Sequence, residues 1–373
     1  MGGTKLMNKK VILAKAGSGK TTYITSDSYF ESKRIIYVTY TNNNVANIRN
    51  SVAVNQNLSS DNILALTYHS FLIKNFFQPF SRHFQTELGS TKSFTNAINW
   101  EKESTIKRLK KFTRQDNVKY WCDSKQSVYG NRLSTMILLK TFDSQFKKSI
   151  NRLSKFCDIL IFDEFQDFTS VDARFLKKII DNFPNEVLLV GDIFQSCVAT
   201  TMEKQNPYKG VKVVDEEAFV RQKLNFTKTK VEVDVTSFVE SHRISKDVAE
   251  FVSEKLEISI SSDGKHSGKI RFIESNEIDS IFENTSQILV YQAVKDMPIK
   301  YKTKNLTWKL SKGLTFENTA VILTKTALKA LTNYEQMKKS SNGSINLLYV
   351  ALTRSLSDVY LVSPDAWKEY VSK

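Results

Sequence analysis

Cysteine is scarce in this chain. The 373 residues hold three, Cys122, Cys157 and Cys197, too widely spaced for a disulfide framework or for a zinc or iron–sulfur ligand set. Proline (5) and glycine (12) are also few, which excludes collagen-like and linker-rich architectures. No apolar run approaches the roughly 18 residues needed to cross a bilayer, and the polar start from Met1 to Lys10 lacks the apolar stretch of a signal peptide. No internal repeat and no low-complexity tract is present. These absences lead us to expect a protein of the reducing cytoplasm, with no membrane association.

What is present is an ordinary globular composition, 41% hydrophobic and 25% charged, which excludes disorder for most of the chain. Its length suits about two domains. The balance is basic, 54 Lys and Arg against 39 Asp and Glu, a formal +15, and such a surplus favours polyanionic partners.

Short apolar runs at Val11 to Leu13, Ile35 to Val38, Ile63 to Leu66, Ile159 to Phe162 and Val187 to Val190 read as buried parallel strands, most of them followed by helix-like sequence. This is the pattern of a doubly wound α/β domain, whose ligands sit beyond the carboxyl ends of its strands. Runs near Val231 to Val235, Lys269 to Ile273, Ile288 to Tyr291, Ala320 to Leu323 and Asp358 to Leu361 predict a second sheet of the same kind. The expected division is a first domain from 1–72 and 156–226, a mainly helical insertion from 73–155, and a second domain from 227–373.

The insertion carries 17 Lys and Arg against 6 Asp and Glu, a net +11, interleaved with Trp100, Phe112, Tyr120, Trp121 and Tyr129. Two readings stand. Basic residues alternating with aromatics suit a surface that neutralises phosphates and stacks on bases; they equally suit a helical insertion with a solvated face and a small aromatic core.

Ala14-Lys15-Ala16-Gly17-Ser18-Gly19-Lys20-Thr21 lies where the first strand turns into a helix. There, backbone N–H groups of a Gly-rich loop form an anion nest, and Gly17 and Gly19 admit an approach that a Cβ would block. Lys20 would reach the β- and γ-phosphates of a nucleotide, and the Thr21 hydroxyl would bind Mg²⁺. The first position is Ala, a slight relaxation of the strict pattern. Asp163-Glu164-Phe165-Gln166-Asp167 follows the fourth strand, so Asp163 is placed to hold the same Mg²⁺ through water and Glu164 to orient and deprotonate an attacking water. Gln195, after the fifth strand, offers an amide to the γ-phosphate.

These segments resemble those of the UvrD-like superfamily 1 helicases, and the resemblance runs through almost the whole chain in order. Val38-Thr39-Tyr40-Thr41-Asn42 is similar to motif Ia, Thr67-Tyr68-His69-Ser70-Phe71 to motif Ic and Ser241-His242-Arg243 to motif IV. Ser311-Lys312-Gly313-Leu314-Thr315-Phe316 is similar to motif V, and Leu348-Tyr349-Val350-Ala351-Leu352-Thr353-Arg354 to motif VI. The resemblance implies two RecA-like P-loop domains, ATP between them, and single-stranded DNA across the top. It further implies Arg243 and Arg354 as arginine fingers, and a nucleotide contact at Ala16, Gly17, Ser18, Gly19, Lys20, Thr21, Thr22, His242, Gly313 and Thr315. Tyr40, Thr41, Asn42, Tyr68, His69, Trp308 and Lys309 match positions that touch the strand.

The implied activity is an ATP-dependent translocase or helicase, moving 3′ to 5′ on tailed or gapped duplexes. Departures are visible too. No upstream glutamine motif precedes the first strand, Ser196 to Thr201 replaces an aromatic and arginine stretch, and Thr315 and Lys309 stand where relatives carry Glu and His. Between Arg243 and Trp308 there is no room for the large accessory domain. That compact form resembles small UvrD-like proteins of phage-defence systems, which implies as an alternative a DNA- or nucleotide-sensing ATPase that regulates a partner nuclease. An RNA-directed motor is a third reading, because contacts to the backbone alone do not separate the sugars.

Overall fold

The computed structural model describes residues 9–54, 60–101, 105–106, 114–196, 215–225, 231–292, 297–333 and 342–373. Cys197 to Thr201 and Phe112 lie outside the described residues.

Six strands form the first sheet: β1 (Lys9–Ala14), β2 (Ile35–Thr39), β3 (Ile63–Thr67), β4 (Ile159–Asp163), β5 (Glu186–Gly191) and β6 (Glu232–Phe238). Their order is β3-β2-β4-β5-β1-β6, with every pairing parallel. β2 and β4 are buried along their whole length, as expected of parallel strands covered on both faces. Alternation along the strands divides the core. Val11, Leu13, Ile36 and Val38 face one hydrophobic cluster, while Ile12, Ala14, Ile35 and Tyr37 face the other.

The second sheet joins β7 (Ile270–Ile273), β8 (Gln287–Val290), β9 (Asn305–Thr307), β10 (Thr319–Ile322) and β11 (Val359–Val362) in the order β7-β11-β10-β8-β9, again all parallel. Its residues alternate in the same way, with Leu289, Val321 and Leu361 towards one core and Ile288, Val290 and Ile322 towards the other. The structure is therefore α/β with two parallel sheets, as the sequence predicts. One strand is placed differently: Glu232–Phe238, expected to open the second sheet, pairs with β1 at the edge of the first.

Helices join these strands with short caps. α1 (Lys20–Ser26) follows the Gly-rich loop. α2 (Asn42–Val54) buries Val45, Ile48 and Val52 at helical spacing, and the Thr41 hydroxyl accepts the Asn44 N–H at 3.2 Å. α3 (Val171–Asn182) presents Phe175, Leu176, Ile179 and Ile180 to the core. α4 (Lys246–Leu256) is capped by the Ser245 hydroxyl at 3.3 Å from the Val248 N–H, and α5 (Asn342–Leu352) runs to the second domain's last strand.

Within 73–155 the described residues form short helical turns, including Ser81–Glu87 and Asp143–Leu153, and a two-stranded ribbon of Ile98–Asn99 and Val128–Tyr129. Phe76, Phe84, Trp121, Phe142 and Phe146 join the same core as Leu66 and Phe162 of the sheet. Tyr120, Trp121 and Tyr129 are thus core residues, whereas Trp100 is 52% exposed. Among the described residues no helix is long and apolar enough to cross a membrane.

Candidate functional site

The loop after β1 is shaped by two left-handed glycines, Gly17 at φ 74° and Gly19 at φ 78°. The Lys15 carbonyl accepts the Ser18 hydroxyl at 2.9 Å and the Lys20 ammonium at 3.4 Å. Lys15 itself is buried, ion-paired with Glu216, with its ammonium 4.6 Å from the centre of the Phe194 ring. Of the two lysines, only Lys20 lines the cleft.

The second domain closes directly on this loop. The Gly17 carbonyl accepts the His242 N–H at 2.9 Å, and the Ala16 N–H donates to the Tyr349 hydroxyl at 3.0 Å. Tyr349 in turn donates to Asp192 at 3.1 Å, and the same Asp192 oxygen accepts the Gln195 amide at 2.9 Å. Ala16 packs within the second domain's core beside Ile244 and Val248. A Cβ on Gly17 would lie 2.6 Å from Ser241 Oγ and 2.7 Å from Arg243 Cβ, so this glycine is required by the close approach as well as by its φ.

Between the two domains lies a cleft of about 400 Å³. Gly17, Ser18, Gly19, Lys20, Thr21, Thr22, Asp163, Glu164 and Gln195 line it from the first domain, and His242, Arg243, Gly313, Thr315 and Arg354 from the second. The structure thus brings together every candidate catalytic residue and nearly all of the nucleotide contacts; Ala16 sits beneath the cleft. Asn44, Asn47 and Leu356 complete the lining.

Asp163 ends β4 with one carboxylate oxygen, Oδ1, buried and without a hydrogen-bond partner. Burial raises its pKa to about 7, and the neighbouring Glu164 charge adds to the rise. Glu164 adopts a left-handed conformation at φ 54°. Burial alone would lift its pKa, but Lys312 and Lys20 outweigh it and hold the group below the usual carboxylate range. Lys312 reaches across from the second domain, 3.2 Å from Glu164 and 2.8 Å from Asp167.

Arg354 is buried, and among the described residues it makes hydrogen bonds to neutral oxygens, to the Val350 carbonyl at 2.8 Å, the Thr353 hydroxyl at 3.2 Å and the Leu314 carbonyl at 3.4 Å. Burial, then the charge of Arg243, lowers its pKa to about 9. Arg243, lowered by burial as well, reaches the Thr353 carbonyl at 3.4 Å. Among the described residues neither guanidinium has a carboxylate within ion-pair distance, so a bound polyanion would relieve both.

At the carboxyl ends of β2 and β3 the predicted strand contacts divide. Thr41 and Asn42 start α2, with Asn42 exposed, and Lys309 is exposed. Tyr40 is half-buried, its hydroxyl 3.2 Å from Asp172 and its ring 5.9 Å from that of Tyr68. His69 lies 5.8 Å from Tyr40 and 4.8 Å from Trp100, and burial lowers its pKa to about 4, leaving it neutral. Two expectations need correction. Tyr68 and Trp308 have no exposed surface; Tyr68 packs against Phe168 and Phe175, and Trp308 lies in the second domain's core beside Tyr291. Neither ring can stack on a strand in this conformation.

Sequence reasoning assigned no role to Lys312, Asp167 or Tyr349, although all three stand inside the motif strings. The signal available was that Lys312 and Tyr349 are a charged and a hydroxylated residue in segments otherwise mostly small or apolar, and that Asp167 closes an acidic run.

Two families match the sequence: residues 4–201 match the one described as AAA domain, and residues 131–363 the one described as viral superfamily 1 RNA helicase core domain. No curated protein matches. Among solved structures, arterivirus nonstructural protein 10 (helicase) in complex with DNA is similar over 98% of this chain and 63% of its own, at 14% identity and a TM-score of 0.47. The same arterivirus protein without DNA matches over 95% and 60% at 12% identity and 0.46, and the PRRSV helicase over 95% and 52% at 10% identity and 0.47. The chain therefore spans between 52% and 63% of the length of these structures.

Proposed function

The chain belongs to the superfamily 1 helicases, and from that membership we propose that it is an ATP-driven translocase on single-stranded DNA, moving 3′ to 5′ and opening tailed or gapped duplexes. One observation carries the reading. Lys20, Thr21, Asp163 and Glu164 from one domain and Arg243 and Arg354 from the other converge on a single cleft, with the arginines unpaired by any carboxylate among the described residues.

The residues present fit a nucleotide and its Mg²⁺. Asp163 keeps a buried oxygen without a partner, Thr21 lines the same cleft, and among the described residues no cluster of three or more His, Cys, Asp or Glu could hold the ion alone. That chemistry suits a cation which prefers one or two protein oxygens together with phosphates. When bound, Mg²⁺ supplies charge neutralisation on the phosphate oxygens. Lys20 would pair with the β- and γ-phosphates, and the backbone of Gly17 to Gly19 would cradle them. His242 lies beside Gly19 on the second-domain side, where it can lie against the base.

Glu164, kept ionised by Lys312, would accept a hydrogen bond from the attacking water and then its proton. Arg243 and Arg354 would meet the charge that develops on the γ-phosphoryl group. Because Gly17 and Ala16 are hydrogen-bonded to His242 and Tyr349, a change in the loop is transmitted directly to the second domain. Tyr349, Asp192 and Gln195 form a continuous hydrogen-bonded path for it. Opening and closing of this cleft, alternating with grip on the strand at the carboxyl ends of the sheets, would convert hydrolysis into movement.

The test is ATPase activity with and without single strands. Wild-type hydrolysis should rise sharply on adding single-stranded DNA, and Lys20→Ala should abolish hydrolysis while retaining strand affinity. An ATPase indifferent to added strands would overturn the motor reading. Displacement from 3′- and 5′-tailed duplexes reads the direction. The match to an RNA helicase core favours RNA as a second substrate, and competition between DNA and RNA oligonucleotides for ATPase stimulation decides between them.

A further inference from the structure

Among the described residues most of the insertion's aromatics lie in or against the core, and Trp100 is the most exposed of them. Its indole is 52% exposed, whereas Trp121 and Trp308 are completely buried. Leaving that much apolar surface in water is unfavourable by itself, yet the surrounding structure holds the ring in place. The Asn99 amide donates to Asp123 at 2.8 Å, while the Asn99 side-chain oxygen accepts the Glu101 N–H at 2.9 Å. The Asn131 amide then fixes the Glu101 carbonyl at 2.9 Å. Gly130 supplies the seat, since a Cβ there would lie 2.2 Å from the indole Cζ3. Trp100 is thus pinned on both sides in sequence and leaves a large part of its ring in solvent.

Its position gives the exposure a meaning. Trp100 meets His69 edge-on at 4.8 Å, and His69 meets Tyr40 at 5.8 Å, so the three rings form a row beyond the carboxyl ends of β2 and β3. β3 is the outermost strand of the first sheet, and the row therefore extends from the sheet onto the insertion, which carries the chain's largest basic surplus, a net +11. Ordered aromatic rings joined to a basic segment suit a flexible polyanion with π-faces.

We propose that Trp100 is a base-stacking platform, and that the insertion contributes it to the track of the single strand. This rests on the reading of the chain as a strand-tracking motor and extends it. The insertion would act directly on the nucleic acid, and a base leaving the first domain would stack on the indole while lysines and arginines of the insertion hold the phosphates. Because every base presents a π-face, the contact is indifferent to sequence. His69, neutral and wedged between Trp100 and Tyr40, keeps the row continuous without adding charge.

The experiment uses the full chain and fluorescently silent oligodeoxythymidine. Of the four tryptophans, Trp121 and Trp308 are buried and Trp367 stacks on Phe282 in the second domain, so strand-induced quenching of tryptophan fluorescence should come mainly from Trp100. Trp100→Phe should abolish most of the quenching. Trp100→Ala should weaken strand binding by about tenfold, the scale of one base–aromatic stack, without changing the slope of affinity against salt, which counts phosphate contacts. On a strand of abasic sites wild type and Trp100→Ala should bind alike.

Quenching that survives in Trp100→Phe, together with an affinity of Trp100→Ala within twofold of wild type, would overturn the proposal while leaving the motor reading standing. A wild-type protein that binds no strand at all would overturn both.

Discussion

Replacing Lys312 by Met keeps the apolar stem and deletes the ammonium that lies 3.2 Å from Glu164 and 2.8 Å from Asp167. Asp167 is buried and Glu164 largely so, with 17% of its side chain exposed, so each must then stay charged without this ammonium or take up a proton. Breaking a buried pair from one side costs about 3–5 kcal/mol. Protonation limits that cost: moving a carboxyl from its ordinary pKa near 4 to neutrality at pH 7 takes roughly three units of about 1.4 kcal/mol each, or about 4 kcal/mol. Asp167, raised to about 6 by burial even with Lys312 present, needs less. A loss of about 3 kcal/mol at neutral pH is the expected outcome.

The pH dependence follows from the direction of the shifts. In the wild type, Glu164 is held below its ordinary range, so it contributes stability above the unfolded pKa of about 4.3 and loses that contribution only as the pH falls through the folded value. In the variant the carboxyls are shifted up, so their penalty is absent below the unfolded pKa, grows as the pH rises from there, and levels off above the folded value. The gap between the two proteins should therefore narrow as the solution is acidified from neutral pH, and close only as the pH falls through the lowered folded pKa of Glu164. Urea titrations of the first unfolding transition at a series of pH values measure it, with the exposed Lys309→Met as the control. A gap that is constant with pH, or less than about 0.5 kcal/mol at neutral pH, would refute the claim that this lysine bridges the domains.

Two further outcomes are expected. Gly17→Ala puts a Cβ against Ser241 and Arg243 at φ 74°, so hydrolysis should fall by at least about tenfold. Gly89→Ala, at φ 67° with open space around it, should cost only about 1–2 kcal/mol of stability; equal ATPase rates for the two variants would refute the tight interdomain contact. Asp163, raised to about 7 by burial and by Glu164, carries a proton below that pH, which a cation must displace. The Mg²⁺ concentration for half-maximal ATPase should therefore rise by about tenfold per unit of acidification below about pH 7, and a requirement that does not change would move the cation off this carboxylate.

Much of the fold was legible because buried parallel strands appear as uninterrupted apolar runs, and Ile35–Thr39 and Ile159–Asp163 are of that kind. Glu232–Phe238 alternates instead, since it is a half-exposed edge, and nothing in its residues names the strand it pairs with. Asn305–Thr307 is too short and too polar to register at all. The Gly-rich loop, the acidic run and the two arginines were readable because their chemistry requires particular residue types at neighbouring positions. The contact of Lys312 with Glu164 was not, because it joins segments far apart in sequence. Nor does an aromatic at a strand end reveal whether its ring turns outward, which is why Tyr68 and Trp308 were misread while Trp100 was given no distinct role.

The chain passes from one sheet to the other at a single place, where β6 gives way to Ser241 and His242 beside the phosphate loop. The Phe238 carbonyl is bonded to the Lys15 N–H at 2.8 Å and the Gly17 carbonyl to the His242 N–H at 2.9 Å. Any pivot at this crossing has its axis next to Lys20. Displacement grows with distance from an axis, so Arg243, a few residues beyond, would travel little, whereas the parts of the second sheet farthest from the crossing would travel most. Such a lever would turn a small adjustment beside the phosphate loop into a larger displacement at the second sheet's periphery.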